Sequence, residues 1–215
     1  MMVPGPTWRE AARYVVPSGA LALILLLARR REGWPVLALT CLFGLFFRDP
    51  ERPLSPEPGV IYAAADGLIT AVDESAEDAW MPDGRCLRIV TFLNLHNVHV
   101  NRVPVAGTVA QLEAVPGGFA PALFSGAGEN SRRRIAIDGD AGRVVVIQVA
   151  GSLARKISVW VKTGERLDVA QRFGMIHLGS RTDVLLPVDS AEVLVSVGQR
   201  VRAGVTPLAR YRSMS

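Results

Sequence analysis

The chain has 215 residues, 49% hydrophobic and 20% charged, which is enough apolar chain for a real core and excludes intrinsic disorder. Its formal charge is +4, and only Lys156 and Lys162 of its 24 basic residues are lysines. Arginine forks suit phosphate and anionic headgroups, but no basic block interleaves with aromatic residues, so no nucleic-acid partner is expected.

A mean hydropathy of +0.25 is high for a soluble globule, and the excess lies at the N-terminus. Tyr14–Ala28 and Trp34–Phe47 are uncharged apolar runs, separated by Arg29-Arg30-Arg31-Glu32-Gly33 and followed by Arg48-Asp49-Pro50-Glu51-Arg52-Pro53. Each run is shorter than the roughly 20 residues a bilayer-crossing helix needs. No small-residue cleavage site follows the first run, which argues against a signal peptide. Residues 1–48 therefore read as a hydrophobic helical hairpin that associates with a membrane, with the arginines at headgroup level. A pair of buried core helices is the alternative. Pro50–Pro58, with four prolines, reads as a linker over 49–58.

Residues 59–215 read as mostly β. Short Val/Ile/Leu-rich runs punctuated by Gly and Pro predict strands at 60–64, 67–72, 85–93, 107–115, 131–138, 143–150, 157–161, 183–187, 191–195 and 206–210. This spacing indicates a flattened barrel or sandwich. Pro116–Asn130 is the expected long loop. A weak repeat relates Val161–Leu167 to Val197–Leu208, and the Ala65-Asp66-Gly67 turn to the Val105-Ala106-Gly107 turn. Such hairpins resemble the barrel-sandwich hybrids that carry lipoyl groups, although the lysine that would bear the group is missing. The fold class expected is thus a lipoyl-like flattened β barrel preceded by the helical hairpin.

Cys41 and Cys86 have neither metal-ligand spacing nor a sequence partner, which fits a reducing compartment. The three histidines are His96, His99 and His177. In an extended segment His96 and His99 would face opposite ways, one inward and one to solvent, so no metal site is expected. Asp66 by itself reads equally well as the start of a turn.

Phe46-Phe47-Arg48-Asp49-Pro50-Glu51-Arg52, Ala65-Asp66-Gly67, Asn97-Val98-His99-Val100-Asn101-Arg102 with Pro104, and Gly179-Ser180-Arg181 form an ordered set. In that order and spacing they resemble the phosphatidylserine decarboxylase proenzyme family, especially its short form. The resemblance implies self-cleavage between Gly179 and Ser180, giving a β chain 1–179 and an α chain 180–215 that stay together. It implies a pyruvoyl cofactor made from Ser180, whose carbonyl forms a Schiff base with the substrate amine during decarboxylation. It implies catalytic roles for His99 and Asp66. Arg102 stands where longer relatives carry a second histidine, so the resemblance leaves open how cleavage and decarboxylation divide between His99, His96 and Asp66. Arg102, Asn101 and Arg181 are the candidates for holding the substrate phosphate. The implied partner is phosphatidylserine in an anionic membrane, the implied place the cytoplasmic face of the cell membrane, peripheral or monotopic, and a homo-oligomer is compatible with it. Two other readings stay open: a membrane-tethered lipoyl-like adaptor that needs no processing, and a pyruvoyl decarboxylase of a soluble amino acid.

Overall fold

The computed structural model describes residues 5–118, 130–151, 156–177 and 180–212, and the chain divides into two compact units, 1–51 and 52–215. In the first unit helix α1 runs from Pro6 to Leu27 and helix α2 from Gly33 to Phe46. The apolar run alone predicts a start near Tyr14. The helix begins earlier because Pro6 sits in its first turn, where a missing N–H costs nothing and φ is already helical. At 22 residues α1 is therefore long and apolar enough to cross a bilayer, whereas the 14-residue α2 is not.

The turn between them is closed at α1 by Arg30 N–H donating to Leu25 O at 2.8 Å and Arg29 N–H to Leu26 O at 2.9 Å. This Schellman arrangement puts Arg29 at φ 54°, a position usually taken by glycine. The helices return antiparallel. Thr40 Oγ1 donates to Ser18 Oγ at 2.9 Å, and the Tyr14 ring lies 5.5 Å from both Phe43 and Phe47. Leu23, Ile24, Leu27, Trp34, Leu42 and Leu45 remain exposed.

The second unit is β throughout: β1 (Val60–Tyr62), β2 (Gly67–Glu77), β3 (Arg85–Leu93), β4 (Val100–Arg102), β5 (Gly107–Val115), β6 (Arg132–Gly139), β7 (Gly142–Val149), β8 (Ile157–Val159), β9 (Arg166–Leu167), β10 (Arg172–Ile176), β11 (Ser180–Leu186), β12 (Ala191–Val193), β13 (Arg200–Val201) and β14 (Pro207–Tyr211). An eight-stranded antiparallel sheet has the order β13-β2-β3-β11-β7-β6-β5-β9, and two three-stranded sheets have the orders β1-β14-β12 and β4-β10-β8. One core joins all three: Ile69, Ile89, Ile135, Val146 and Val184 of the large sheet pack with Ile61 and Leu208 of one small sheet and with Phe173 of the other.

The weak sequence repeat is a structural one. The large sheet reads symmetrically outward from its central β11–β7 pair, and each half contributes a small sheet. Gly67 pairs with Val201 in one half and Gly107 with Leu167 in the other. A Cβ at Gly67 would overlap the Phe92 carbonyl, and one at Gly107 the Asp138 carbonyl, so both strands need glycine where they cross a neighbour's backbone. The Gly198 N–H bonds Ile69 O as the Gly164 N–H bonds Val109 O, both at 2.8 Å. The half made of β4 to β10 is inserted whole between β3 and β11 of the other.

Ten expected strands correspond to observed ones, and four short ones, β4, β9, β10 and β13, went unpredicted. Two-residue edge strands leave almost no periodicity to read, and β10 contains Gly174, which ordinarily disfavours a strand. Strand β11 begins at Ser180, three residues before its expected start. Most of the expected 116–130 loop, residues 119–129, lies outside the described residues.

Candidate active site

Side chains of β11 alternate across the large sheet. Val184 and Leu186 enter the main core, with Ser180 and Thr182 on the same face by strand parity, whereas Arg181, Asp183 and Leu185 point to the opposite face. On the core face, Thr182 sits directly between Thr91 of β3 and Gln148 of β7. These three buried polar residues form a row across an otherwise aliphatic surface. Ser180 is the next residue along that face, opposite Leu93. It is fully buried, and its Oγ has no hydrogen-bond partner among the described residues. A hydroxyl left so is costly for stability alone. Gly179 lies outside the described residues.

Strand β4 brings the second element. The Asn101 amide donates to Ala64 O at 3.2 Å and Thr182 Oγ1 at 3.3 Å, and accepts from Gln148 Nε2 at 2.7 Å. It thereby ties β4 to the strand that Ser180 opens. His99 precedes β4 and is buried, whereas His96 is exposed. The opposite facing of the two matches expectation but comes from a turn rather than from strand alternation. Asn97 N–H donates to Asn94 O, and Asn94 N–H to Asn97 Oδ1, both at 2.9 Å. His99 Nδ1 lies 2.9 Å from Asn97 O. A carbonyl only accepts, so in the neutral ring Nδ1 carries the proton and Nε2 is the basic nitrogen.

Asp66 follows β1 and is held on both oxygens. Arg52 grips it with a two-pronged contact, Nη2 to Oδ2 at 2.8 Å, and Ala203 N–H donates to Oδ1 at 2.8 Å. Arg52 also donates to Ala203 O at 2.8 Å. The Asp66 turn lies two residues beyond Ala64, whose carbonyl receives the Asn101 amide and the Arg102 N–H. Arg52, inside the expected linker and the last residue of the Phe46–Arg52 motif, is thus a buried part of this region.

The candidate phosphate ligands separate. Asn101 is wholly buried with its amide committed to the protein. Arg102 is buried and donates to Ala170 O at 3.3 Å. Arg181 lies on the sheet face away from Ser180. Its Nε is 2.8 Å from Asp183 Oδ1, with Arg88 Nε 3.0 Å from Oδ2, beside a cleft of about 180 Å³ that Arg132 and Arg134 also line. Burial pushes the Asp183 carboxyl above its ordinary value, against the pull of Arg181 and Arg88. Arg133, between those two outward arginines, stands directly opposite Gln148 on the Ser180 face. It was not among the expected residues, though the middle member of an Arg triplet on a strand must face away from its neighbours.

Residues 39–209 match the family model described as phosphatidylserine decarboxylase. The chain is 45% identical over 204 residues to the phosphatidylserine decarboxylase proenzyme of Symbiobacterium thermophilum, covering 94% of each chain. It is 40% identical to the proenzyme of that name from Thermobifida fusca, over 94% of this chain and 91% of the relative. For the one from Ruegeria pomeroyi the identity is 38%, over 95% and 94%. The chain belongs to the phosphatidylserine decarboxylase family. As a member it is an enzyme, a carboxy-lyase, and the proenzyme names of its relatives place it among zymogens of phospholipid biosynthesis.

Proposed function

We propose that this chain cleaves itself between Gly179 and Ser180 and then decarboxylates phosphatidylserine to phosphatidylethanolamine at a pyruvoyl group made from Ser180. One observation carries the reading: Ser180 heads β11 fully buried, with its Oγ unpartnered among the described residues, at the edge of a polar row inside an aliphatic core. In cleavage, Ser180 Oγ attacks the Gly179 carbonyl carbon. The C–O bond forms, the C–N bond breaks, and the hydroxyl proton passes to the released amine. Loss of the Ser180 α-proton then expels the Gly179 carboxylate. The resulting dehydroalanine takes up water and releases ammonia, leaving pyruvoyl on the α chain. Residues 1–179 and 180–215 stay together, because β11 is hydrogen-bonded to both β3 and β7.

The pyruvoyl group, held at the head of β11 where Ser180 stands, would supply an electron-accepting ketone for the substrate amine. His99 fits the proton transfers, with its basic nitrogen set by the Asn97 carbonyl. Asp66, with both oxygens engaged, acts by fixing the turn beside Ala64. The substrate phosphate falls to Arg133, on the Ser180 face opposite Gln148. The hairpin of α1 and α2 holds the enzyme on the cytoplasmic face of the membrane, where its substrate lies.

The test is the intact mass of the purified protein under denaturing conditions. Two chains, the smaller being residues 180–215 blocked by a carbonyl, are expected from the wild type, and one chain near 23.2 kDa from Ser180→Ala. His99→Ala is expected to impair cleavage, turnover or both. A wild-type chain that stays whole in the presence of membranes would favour the adaptor reading instead.

A further inference from the structure

Resting on the self-cleavage just proposed, we infer that Gln148 is a positioning residue for it, orienting the Ser180 hydroxyl for attack. The orientation of its amide is fixed from outside inward. Ala64 O accepts hydrogen bonds only, so Asn101 turns its NH₂ toward Ala64 and Thr182. That leaves Asn101 Oδ1 as the acceptor facing Gln148, which must present its own NH₂, at 2.7 Å. The Gln148 carbonyl oxygen is therefore the group left over. It is buried, with no partner among the described residues.

Gln148 has little room to turn away. Gly174, behind it, has no space for a Cβ, which would lie 2.5 Å from Ser158 O and 3.1 Å from Gln148 Nε2. In the register of β7 and β11, Gln148 is directly opposite Thr182, so Ser180 is its diagonal neighbour on the same face. Diagonal positions of an antiparallel pair are within reach of a long side chain. Two orphaned groups thus occupy diagonal positions in one buried layer: an acceptor that cannot donate, and a hydroxyl that needs an acceptor to fix its rotamer. A protein gains nothing in stability from burying both unpaired, so we assign the acceptor to the hydroxyl's step. Gln148 does not remove the proton; it selects the hydroxyl direction that aims an Oγ lone pair at the Gly179 carbonyl carbon.

The experiment follows cleavage of the full chain, made by in vitro translation, on denaturing gels with and without hydroxylamine. Hydroxylamine traps the Gly179–Ser180 ester as a hydroxamate and so separates ester formation from elimination. Gln148→Asn, which withdraws the carbonyl by one methylene, is expected to slow ester formation about tenfold, the rate equivalent of one hydrogen bond. Elimination, followed without hydroxylamine as conversion of ester to pyruvoyl-blocked α chain, should keep the wild-type rate. Gln148→Glu keeps an acceptor oxygen at the same reach and is expected to restore ester formation most fully at low pH, where its protonated carboxyl can still donate to Asn101. The inference is overturned if both variants form ester at the wild-type rate. It is also overturned if Gln148→Asn slows only elimination, or if Gln148→Glu is as slow as Gln148→Asn at every pH while melting normally. A wild-type chain that forms no ester would instead defeat the self-cleavage reading on which this rests.

Discussion

At the scale of single residues, strand parity decides what sequence proximity leaves open. Arg181 adjoins Ser180 in the chain but lies on the other face of the sheet, bonded to Asp183. Arg133 is far away in sequence and stands on the Ser180 face opposite Gln148. If the phosphate is held as proposed, Arg133→Gln should raise KM for phosphatidylserine roughly ten- to hundredfold, the loss of one charge-assisted hydrogen bond, with little change in kcat. Arg181→Gln should leave KM near the wild-type value and lower thermal stability, because Asp183 would lose one of its two arginine partners among the described residues. Steady-state kinetics on the two variants separates the faces, and equal KM effects would reject the assignment. Ser180, His99 and Asp66 stand out as candidates in the sequence because their motifs are local. Arg52 is visible only as the end of a motif and Gln148 not at all, because each meets its partners only on folding: Asp66 and Ala203 for one, Asn101 and Thr182 for the other.

At the scale of elements, the repeat explains both what could be read and what could not. Long strands such as Arg85–Leu93 and Gly107–Val115 carry enough alternation to be located to the residue. The short strands β9 and β13 are visible only as a faint echo of one another, yet each caps an edge of the large sheet in the same register. The two halves meet where Gly204 N–H donates to Ala63 O and, in the other half, Ala170 N–H to Val103 O, both at 2.8 Å. Gly204 has φ 67° and Ala170 φ 62°, so equivalent positions adopt the same left-handed turn with different residues. A Cβ at Gly204 would stand 2.8 Å from Ala170 Cβ and 2.9 Å from Arg102 Cδ. Gly204→Ala should therefore destabilise by about 2–4 kcal/mol, left-handed strain and overpacking combined. The pseudo-equivalent Ala170→Gly should change stability by less than about 1 kcal/mol, since relief of strain offsets the added freedom of the unfolded chain. Urea midpoints measure both, and similar losses would mean that the glycine answers to neither space nor φ.

At the scale of the whole molecule, the contrast between the two units is the informative feature. The second buries most of its aliphatic residues in one core between its sheets, with a smaller cluster around Met81, Cys86, Val145 and Leu185 on the large sheet's other face, whereas α1 and α2 expose leucines, isoleucine and tryptophan around their hairpin. Apolar faces of that extent are stable where lipid replaces water. The turn concentrates Arg29, Arg30 and Arg31 at one end of the hairpin, with Arg9 and Arg13 near the start of α1. Each arginine near an anionic surface contributes about 1 kcal/mol, so replacing the three turn arginines by glutamine should weaken binding to phosphatidylserine-containing vesicles by roughly 3 kcal/mol, about a hundredfold. The loss should shrink as salt is raised, because exposed charges are screened beyond a Debye length of about 8 Å at physiological ionic strength. Binding to neutral vesicles should be unaffected, since that depends on the apolar faces. Removing residues 1–48 should abolish binding to both kinds of vesicle. It should also depress decarboxylation of membrane-borne substrate far more than of a short-chain soluble analogue. Equal loss on both substrates would show that the hairpin supports the β unit's own fold rather than its access to lipid, and would return the apolar runs to the buried-core reading.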